Sequence, residues 1–131
     1  MAILFLLSAT GCATSSPAGR TGHIGGSPQP ARSGHLIARG LATYYGGKYQ
    51  RRPTASGERF DKEALTAAHA DLPFGRRVRV TNTETGRSVV VRINDRFKPF
   101  KGRIIDLSER AFRQIAPLER GVIPVTVESV P

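Results

Sequence analysis

Three acidic residues fall where their side chains could do chemistry. Glu58 closes Thr54-Ala55-Ser56-Gly57-Glu58, Asp95 lies in Arg92-Ile93-Asn94-Asp95-Arg96, and Asp106 lies in Arg103-Ile104-Ile105-Asp106-Leu107-Ser108. The two aspartates sit where strand-like runs end beside turn residues, so folding should crowd them at one end of a small β-rich domain. Carboxylates gathered in a groove are the usual equipment for breaking glycosidic bonds. The one acting as acid must be protonated near neutral pH, which requires burial or a neighbouring carboxylate. If Asp95 and Asp106 face each other they titrate as a pair, and either could hold the proton.

Each acid also has a plainer role open to it. Asp95 is flanked by Arg92 and Arg96, and an ion pair there would lower its pKa. Asp106 precedes Ser108 at a helix start, where a carboxylate can cap free N–H groups. Glu58, in a glycine-bearing loop, could be a solvated charge. His69 ends the apolar run Leu65–His69 and fits a satisfied core histidine. Tyr44 and Tyr45 are adjacent, so strand alternation sends one of them into the core and leaves the other free to stack on a sugar face. One Cys and three His residues exclude an internal disulfide and a Cys-based zinc site. His69-Ala70-Asp71 is a poor metal pair, and neither a metal nor a cofactor is expected.

The elements that must position these residues follow from pattern. Gly40–Gly46 reads as a first strand closed by glycines, and residues 46–59 as a long loop carrying Glu58. Leu65–His69 is either a strand or a turn of helix, and Leu72-Pro73-Phe74-Gly75 is a turn. Residues 77–82 alternate with period two, Thr83-Glu84-Thr85-Gly86 turns the chain, and residues 87–94 return it, which makes a hairpin. Arg103–Leu107 is another strand. Ser108 is an N-cap for a helix through Ile115, ended by Pro117. Val122–Val130 is the last strand, with Pro124 suggesting an edge or a bulge. About six short strands and one or two short helices suit a compact barrel rather than a βαβ sheet.

The N-terminus carries a different signal. Met1–Leu7 is apolar and leads through Ser8-Ala9-Thr10-Gly11 to Cys12. It is too short to span a bilayer, but it fits the end of a secretory apolar segment. Residues 1–11 are therefore expected to be a lipoprotein signal peptide, with Cys12 acylated; an ordinary signal peptide with an incidental Cys is the alternative. Ala13 rather than Asp after that Cys points to the outer membrane of a Gram-negative cell, facing the periplasm. Residues 12–35 are rich in Gly, Ser and Pro and should be a flexible linker, which leaves 36–131 as the domain. Residues 36–131 hold 18 basic and 10 acidic residues, a net charge of +8 within a chain total of +10. Such a surface favours wall polymers or lipid head groups. Nothing matches a nucleic-acid module.

From Gly40 to Ile115 these blocks, in this order, resemble the rare lipoprotein A family: Ala42-Thr43-Tyr44-Tyr45-Gly46, Thr54-Ala55-Ser56-Gly57-Glu58, Thr66-Ala67-Ala68-His69, Leu72-Pro73-Phe74-Gly75, Val78-Arg79-Val80-Thr81-Asn82, Val91-Arg92-Ile93-Asn94-Asp95-Arg96 and Arg103-Ile104-Ile105-Asp106-Leu107-Ser108. The resemblance implies a mainly β fold, a six-stranded double-psi β-barrel. It also implies an envelope lipoprotein acting on peptidoglycan, as an endolytic lytic transglycosylase of peptide-free glycan strands. The family's functional acids and histidine carry over onto Glu58, Asp95 and His69, the last as a hydrogen-bonding residue that fixes a carboxylate. In related double-psi barrels the general acid matches Asp106. Tyr44 and Tyr45 are the candidates to meet the substrate, and Arg96, Lys98 and Lys101 either attract the lactyl carboxylates of muramic acid or are simply solvated surface charges. Phe97-Lys98 stands where the family has Gly-Pro. The chain stops at Pro131 without the septal-targeting SPOR domain that many members carry, and division-site partners stay open. Two rivals remain: a non-catalytic, expansin-like glycan-binding module, and an inverting hydrolase with carboxylates roughly 6.5–9.5 Å apart.

Overall fold

Alternation of apolar and polar residues settles most of the architecture. The computed structural model describes residues 34–131. The expected signal peptide, the acylation site Cys12 and all but the last two residues of the expected linker lie outside them. Six strands follow in chain order: β1 (Leu36–Tyr45), β2 (Thr66–His69), β3 (Arg77–Asn82), β4 (Ser88–Asp95), β5 (Arg103–Ser108) and β6 (Ile123–Ser129). They close into a barrel in the order β1-β5-β2-β4-β3-β6. The β1–β5 and β2–β4 pairs are parallel and the other four antiparallel.

The period-two residues face inward and fill the barrel. Val78 and Val80, Val89, Val91 and Ile93, Ile105 and Leu107, and Ile123, Val125 and Val127 form one buried cluster with Ala42 and Ala67. Helix α1 (Glu109–Ile115) adds Ala111, Phe112 and Ile115 to the same cluster. Those three positions share one helix face. The helix starts where expected, because the Ser108 hydroxyl accepts a hydrogen bond from the Ala111 N–H at 3.3 Å. The same hydroxyl donates to the Ala64 carbonyl at 2.5 Å, so one buried side chain ties the helix to the end of the loop before β2.

Leu65–His69 resolves to a strand, and the hairpin 77–94 forms as expected, with Val78 opposite Val91 and Val80 opposite Val89. Two details differ from the sequence expectations. β1 begins at Leu36 rather than Gly40, because its first half pairs with β6. Pro124 marks neither an edge nor a bulge. β6 has a neighbour on both sides, and Pro124 sits just past the last β3–β6 pair, Asn82 with Val125. Its carbonyl still accepts from the Thr83 N–H at 3.0 Å, so the missing N–H removes only a terminal bond of the ladder.

Three register shifts interrupt the barrel wall; one lies between Leu36 and Ala38 against β6, and the other two bear on the site. Between Leu41 and Ala42 the partner on β5 jumps from Arg103 to Ile105. The chains approach so closely there that a Cβ on Gly40 would lie 2.8 Å from the Gly102 carbonyl oxygen, which is why a glycine occupies β1 at that point. Between Ala67 and Ala68 the partner on β4 jumps from Ile93 to Asp95, leaving Asn94 as the extra residue of a bulge.

Replacing Ser108 with Ala removes the helix cap and leaves the Ala64 carbonyl without its donor. The expected cost is about 1–3 kcal/mol, read as a lowered midpoint in urea unfolding with an unchanged slope.

Candidate active site

The bulge at Asn94 decides where Asp95 points. Strict alternation from the buried Ile93 would turn Asp95 into the apolar interior, where an ion is prohibitively costly. The extra residue sets Asp95 on the outer face of the wall instead, opposite Ala68. On the other side of β2, Ala68 is paired with Asp106. The two carboxylate-bearing residues thus flank a single alanine across three neighbouring strands. Two inter-strand spacings separate their Cα atoms by about 9.5 Å, and the methyl of Ala68 leaves the floor between them open. Asp95, Ala68 and Asp106 line a cleft of about 250 Å³, walled by Tyr45, Arg96, Phe97 and the loop residues Arg52 and Thr54.

The two acids stand in different surroundings. Asp106 lies inside β5, not at its end, and caps no helix. Its neighbour across the β1–β5 pair, Thr43, donates a hydroxyl hydrogen bond to Oδ1 at 3.0 Å. Burial pushes its carboxyl up to about 6. The Thr43 hydrogen bond and Arg103 act against that rise, and the charge of Asp95 adds to it. Burial rather than the carboxylate pair is thus the main cause. Asp95 Oδ1 accepts the backbone N–H of Ala55 at 2.9 Å and of Arg96 at 2.8 Å. Neither flanking arginine pairs with it: Arg92 is bound to Glu58, and the Arg96 guanidinium lies 4.0 Å from the Phe74 ring centre.

Several other residues are placed differently from expectation. Glu58 does not share the cleft. Both of its oxygens are held by the Arg92 guanidinium, which also lowers its pKa. His69 fixes no cleft carboxylate. Its Nδ1 accepts the backbone N–H groups of Asp71 at 3.3 Å and Leu72 at 3.2 Å. That requires a neutral ring, in agreement with a pKa lowered mainly by burial, so the close Asp71 carboxylate is not an ion-pair partner. The imidazole borders a separate hollow with Ile37 and Ile104. Tyr44 is the inward tyrosine: it packs on Phe112 at 4.8 Å between ring centres and donates to the Leu118 carbonyl at 3.3 Å. Tyr45 is the cleft tyrosine, stacked on Phe60 at 4.3 Å, its phenol pKa raised by burial. Lys98 is exposed and outside the cleft lining.

The structure adds residues that sequence reasoning did not single out. Thr43 holds Asp106, the Ala55 N–H holds Asp95, and Ala68 spaces the two acids. All three lie within the quoted motifs, but their roles depend on strand partners that spacing does not reveal. Phe97, at the Phe97-Lys98 departure, lines the cleft.

A raised Asp106 pKa has a stability sign. Between the ordinary carboxylate value and about 6, the folded chain binds the proton that the unfolded chain has lost. Stability therefore falls as pH rises through that window and stays low above it. Asp106→Asn removes the part-buried charge and keeps an acceptor for Thr43. It is expected to exceed the parent in unfolding free energy at pH 8 by about 1–3 kcal/mol, with the difference closing below pH 4. Equal stabilities at pH 8 would show that Asp106 bears its charge without penalty.

The chain is similar to several known proteins. A Nostoc protein (strain PCC 7120) named "Probable endolytic peptidoglycan transglycosylase RlpA" is 53% identical over 116 residues, covering 86% of this chain and 31% of that protein. The chain spans about a third of the length of the curated relatives it matches. Among solved structures, a Streptomyces papain inhibitor is 29% identical with a TM-score of 0.57, covering 72% of this chain and 94% of that one. A Clavibacter michiganensis expansin variant in complex with cellohexaose, 22% identical with a TM-score of 0.58 over 71% of this chain and 50% of that one, shares the fold. The barrel is of the double-psi type. Residues 37–127 match the family described as lytic transglycolase, and the chain belongs to that family.

Proposed function

We propose that this barrel is the catalytic domain of an endolytic peptidoglycan transglycosylase, cleaving between N-acetylmuramic acid and N-acetylglucosamine in peptide-free strands. The observation that carries the proposal is a part-buried Asp106 carboxyl, with a pKa raised to about 6, set across one alanine from Asp95 in an open cleft. The names of the relatives support the same substrate and reaction.

In this reading neutral Asp106 gives its proton to the glycosidic oxygen. The C1–O bond breaks, its electron pair leaves with the N-acetylglucosamine oxygen, and positive charge grows at C1. The carboxylate of Asp95 faces that charge and stabilises it. Asp106, now a carboxylate, takes the proton of the muramic C6 hydroxyl as O6 bonds to C1. The 1,6-anhydro ring closes, no water is consumed, and Asp106 recovers its proton. Tyr45 offers an aromatic wall to the sugar, and Arg96 a cation at the mouth.

Purified domain incubated with peptide-free glycan strands is expected to release anhydro-muramic ends, identified by mass. Reducing ends would indicate hydrolysis instead, and intact strands that co-sediment with the protein would indicate an expansin-like binder. Asp95→Asn and Asp106→Asn are each expected to lose about 10²- to 10⁴-fold in turnover while remaining folded. Turnover retained in both overturns the assignment. Because the acid must be protonated, kcat/KM is expected to decline as pH rises through about 6.

We also infer that Cys12, which lies outside the described residues, is acylated and tethers the domain to a membrane, with the outer membrane favoured. The apolar run before it and the small residues beside it support this reading. Cys12→Ser in the full chain is expected to shift the protein from the membrane to the soluble envelope fraction. An unchanged distribution would assign the attachment to another feature.

A further inference from the structure

Glu58 stands outside the cleft, yet the segment it belongs to reaches the cleft carboxylates. Residues 51–60 form a small hairpin on the outside of the barrel. Arg51 N–H donates to the Phe60 carbonyl and Phe60 N–H to the Arg52 carbonyl, both at 2.8 Å. At its tip the Gly57 N–H closes a turn onto the Thr54 carbonyl at 2.9 Å. Gly57 adopts φ +90° there, a conformation that side chains with a Cβ resist. A two-stranded ribbon of this size does not hold its shape alone. Its base is anchored by Phe60, buried against Tyr45. Its tip meets the barrel at three β4 residues: the Ser56 N–H on the Asn94 carbonyl at 3.2 Å, the Ala55 N–H on Asp95 Oδ1 at 2.9 Å, and Glu58 on Arg92.

The third contact is the one that a loop side chain specifies. Arg92 grips both oxygens of Glu58 in a two-pronged pair, a geometry that fixes orientation as well as distance. Arg92 also lies directly opposite Arg77 on β3, where like charges repel, so Glu58 neutralises a crowded cation. The backbone of Glu58 is drawn into the same tip. Its carbonyl accepts the Thr54 N–H at 2.7 Å and the Thr54 hydroxyl at 2.8 Å.

We infer that Glu58 is a positioning residue that acts through Arg92, holding the 51–60 hairpin against the β4 bulge so that the Ala55 N–H stays on Asp95 and Thr54 stays in the cleft wall. This rests on the proposed function for its effect on turnover, but not for its effect on the loop. The pair is 41% and 43% exposed, so it adds little to global stability, and its loss should be felt as local opening of the hairpin.

Two readouts on the purified domain test this: amide hydrogen exchange at Ala55 and Ser56, and kcat, KM and pH profile on peptide-free strands. Glu58→Ala is expected to speed exchange at both amides by about 5-fold. It should lower kcat/KM by about 5- to 10-fold, with the melting temperature and the alkaline limb of the pH profile unmoved. The swapped pair, Glu58→Arg with Arg92→Glu, is expected to restore both exchange and turnover. The inference is overturned if Glu58→Ala leaves the two amides as protected as in the parent. It is equally overturned if the swapped pair restores protection while turnover stays down by ~10²-fold or more, since Glu58 would then touch the reacting sugar. Should the parent itself release no anhydro ends, the proposed function fails, and the exchange measurements alone still decide whether Glu58 holds the loop.

Discussion

One extra residue in β4 governs the site. A closed barrel of six strands has no spare volume inside, because its inward positions are filled by Val, Ile and Leu. A carboxylate can be used only on the outer face. Asp95 reaches that face because Asn94 is inserted between it and Ile93, shifting the register against Ala67 and Ala68. The insertion has a cost that remains visible in the structure: Asn94 is buried and its Oδ1 has no hydrogen-bond partner among the described residues. The bulge also turns the Asn94 carbonyl toward the Ser56 N–H, so the irregularity that aims the carboxylate helps to dock the loop above it.

The electrostatics follow from where the neighbouring cations are sent. In a domain with net charge +8, two aspartates in one cleft would ordinarily collect arginines, and a guanidinium beside Asp106 would pull its pKa back down. Here Arg92 is taken up by Glu58, and Arg96 lies over the Phe74 ring with a long contact of 3.5 Å to the His69 carbonyl. Arg103 is the cation that still acts on Asp106, and burial outweighs it. Asp106 thus keeps its raised pKa with both of the arginines that flank Asp95 engaged elsewhere. His69 contributes through its main chain here, while its imidazole caps the turn after β2.

Much of the fold was legible in the chain because period two is a local signal. The hairpin 77–94, the Ser108 cap and the inward set of valines and isoleucines follow from patterns a few residues long. The resemblance supplied the barrel type, since spacing alone reached only a compact barrel. The extension of β1 back to Leu36 was not legible, because pairing with β6 joins segments about ninety residues apart. The site was legible in part. Asp95 and Asp106 were singled out from their places near strand ends, and the cleft does join them. Glu58 was grouped with them because motif membership says nothing about which arginine a side chain meets. Ala68 was invisible as a functional position: its importance is that it is small, and that meaning exists only once β4 and β5 are known to lie on either side of it.

The same barrel occurs in a papain inhibitor and in an expansin, so the fold by itself decides no chemistry. What separates a cleaving groove from a gripping one is the state of its acids. A groove that only holds sugar needs acceptors for hydroxyl groups, and an ionised carboxylate serves that purpose better than a protonated one. It does not need a carboxyl raised to about 6, which above that pH burdens the folded state with a part-buried charge. Proton donation to a leaving oxygen does require such a group. Thr43 fits the same account, because its single hydroxyl bond orients Asp106 without cancelling the effect of burial. The partial burial of Asp106 is therefore consistent with the proposed bond cleavage, and the alanine between the two acids leaves the floor of the cleft open.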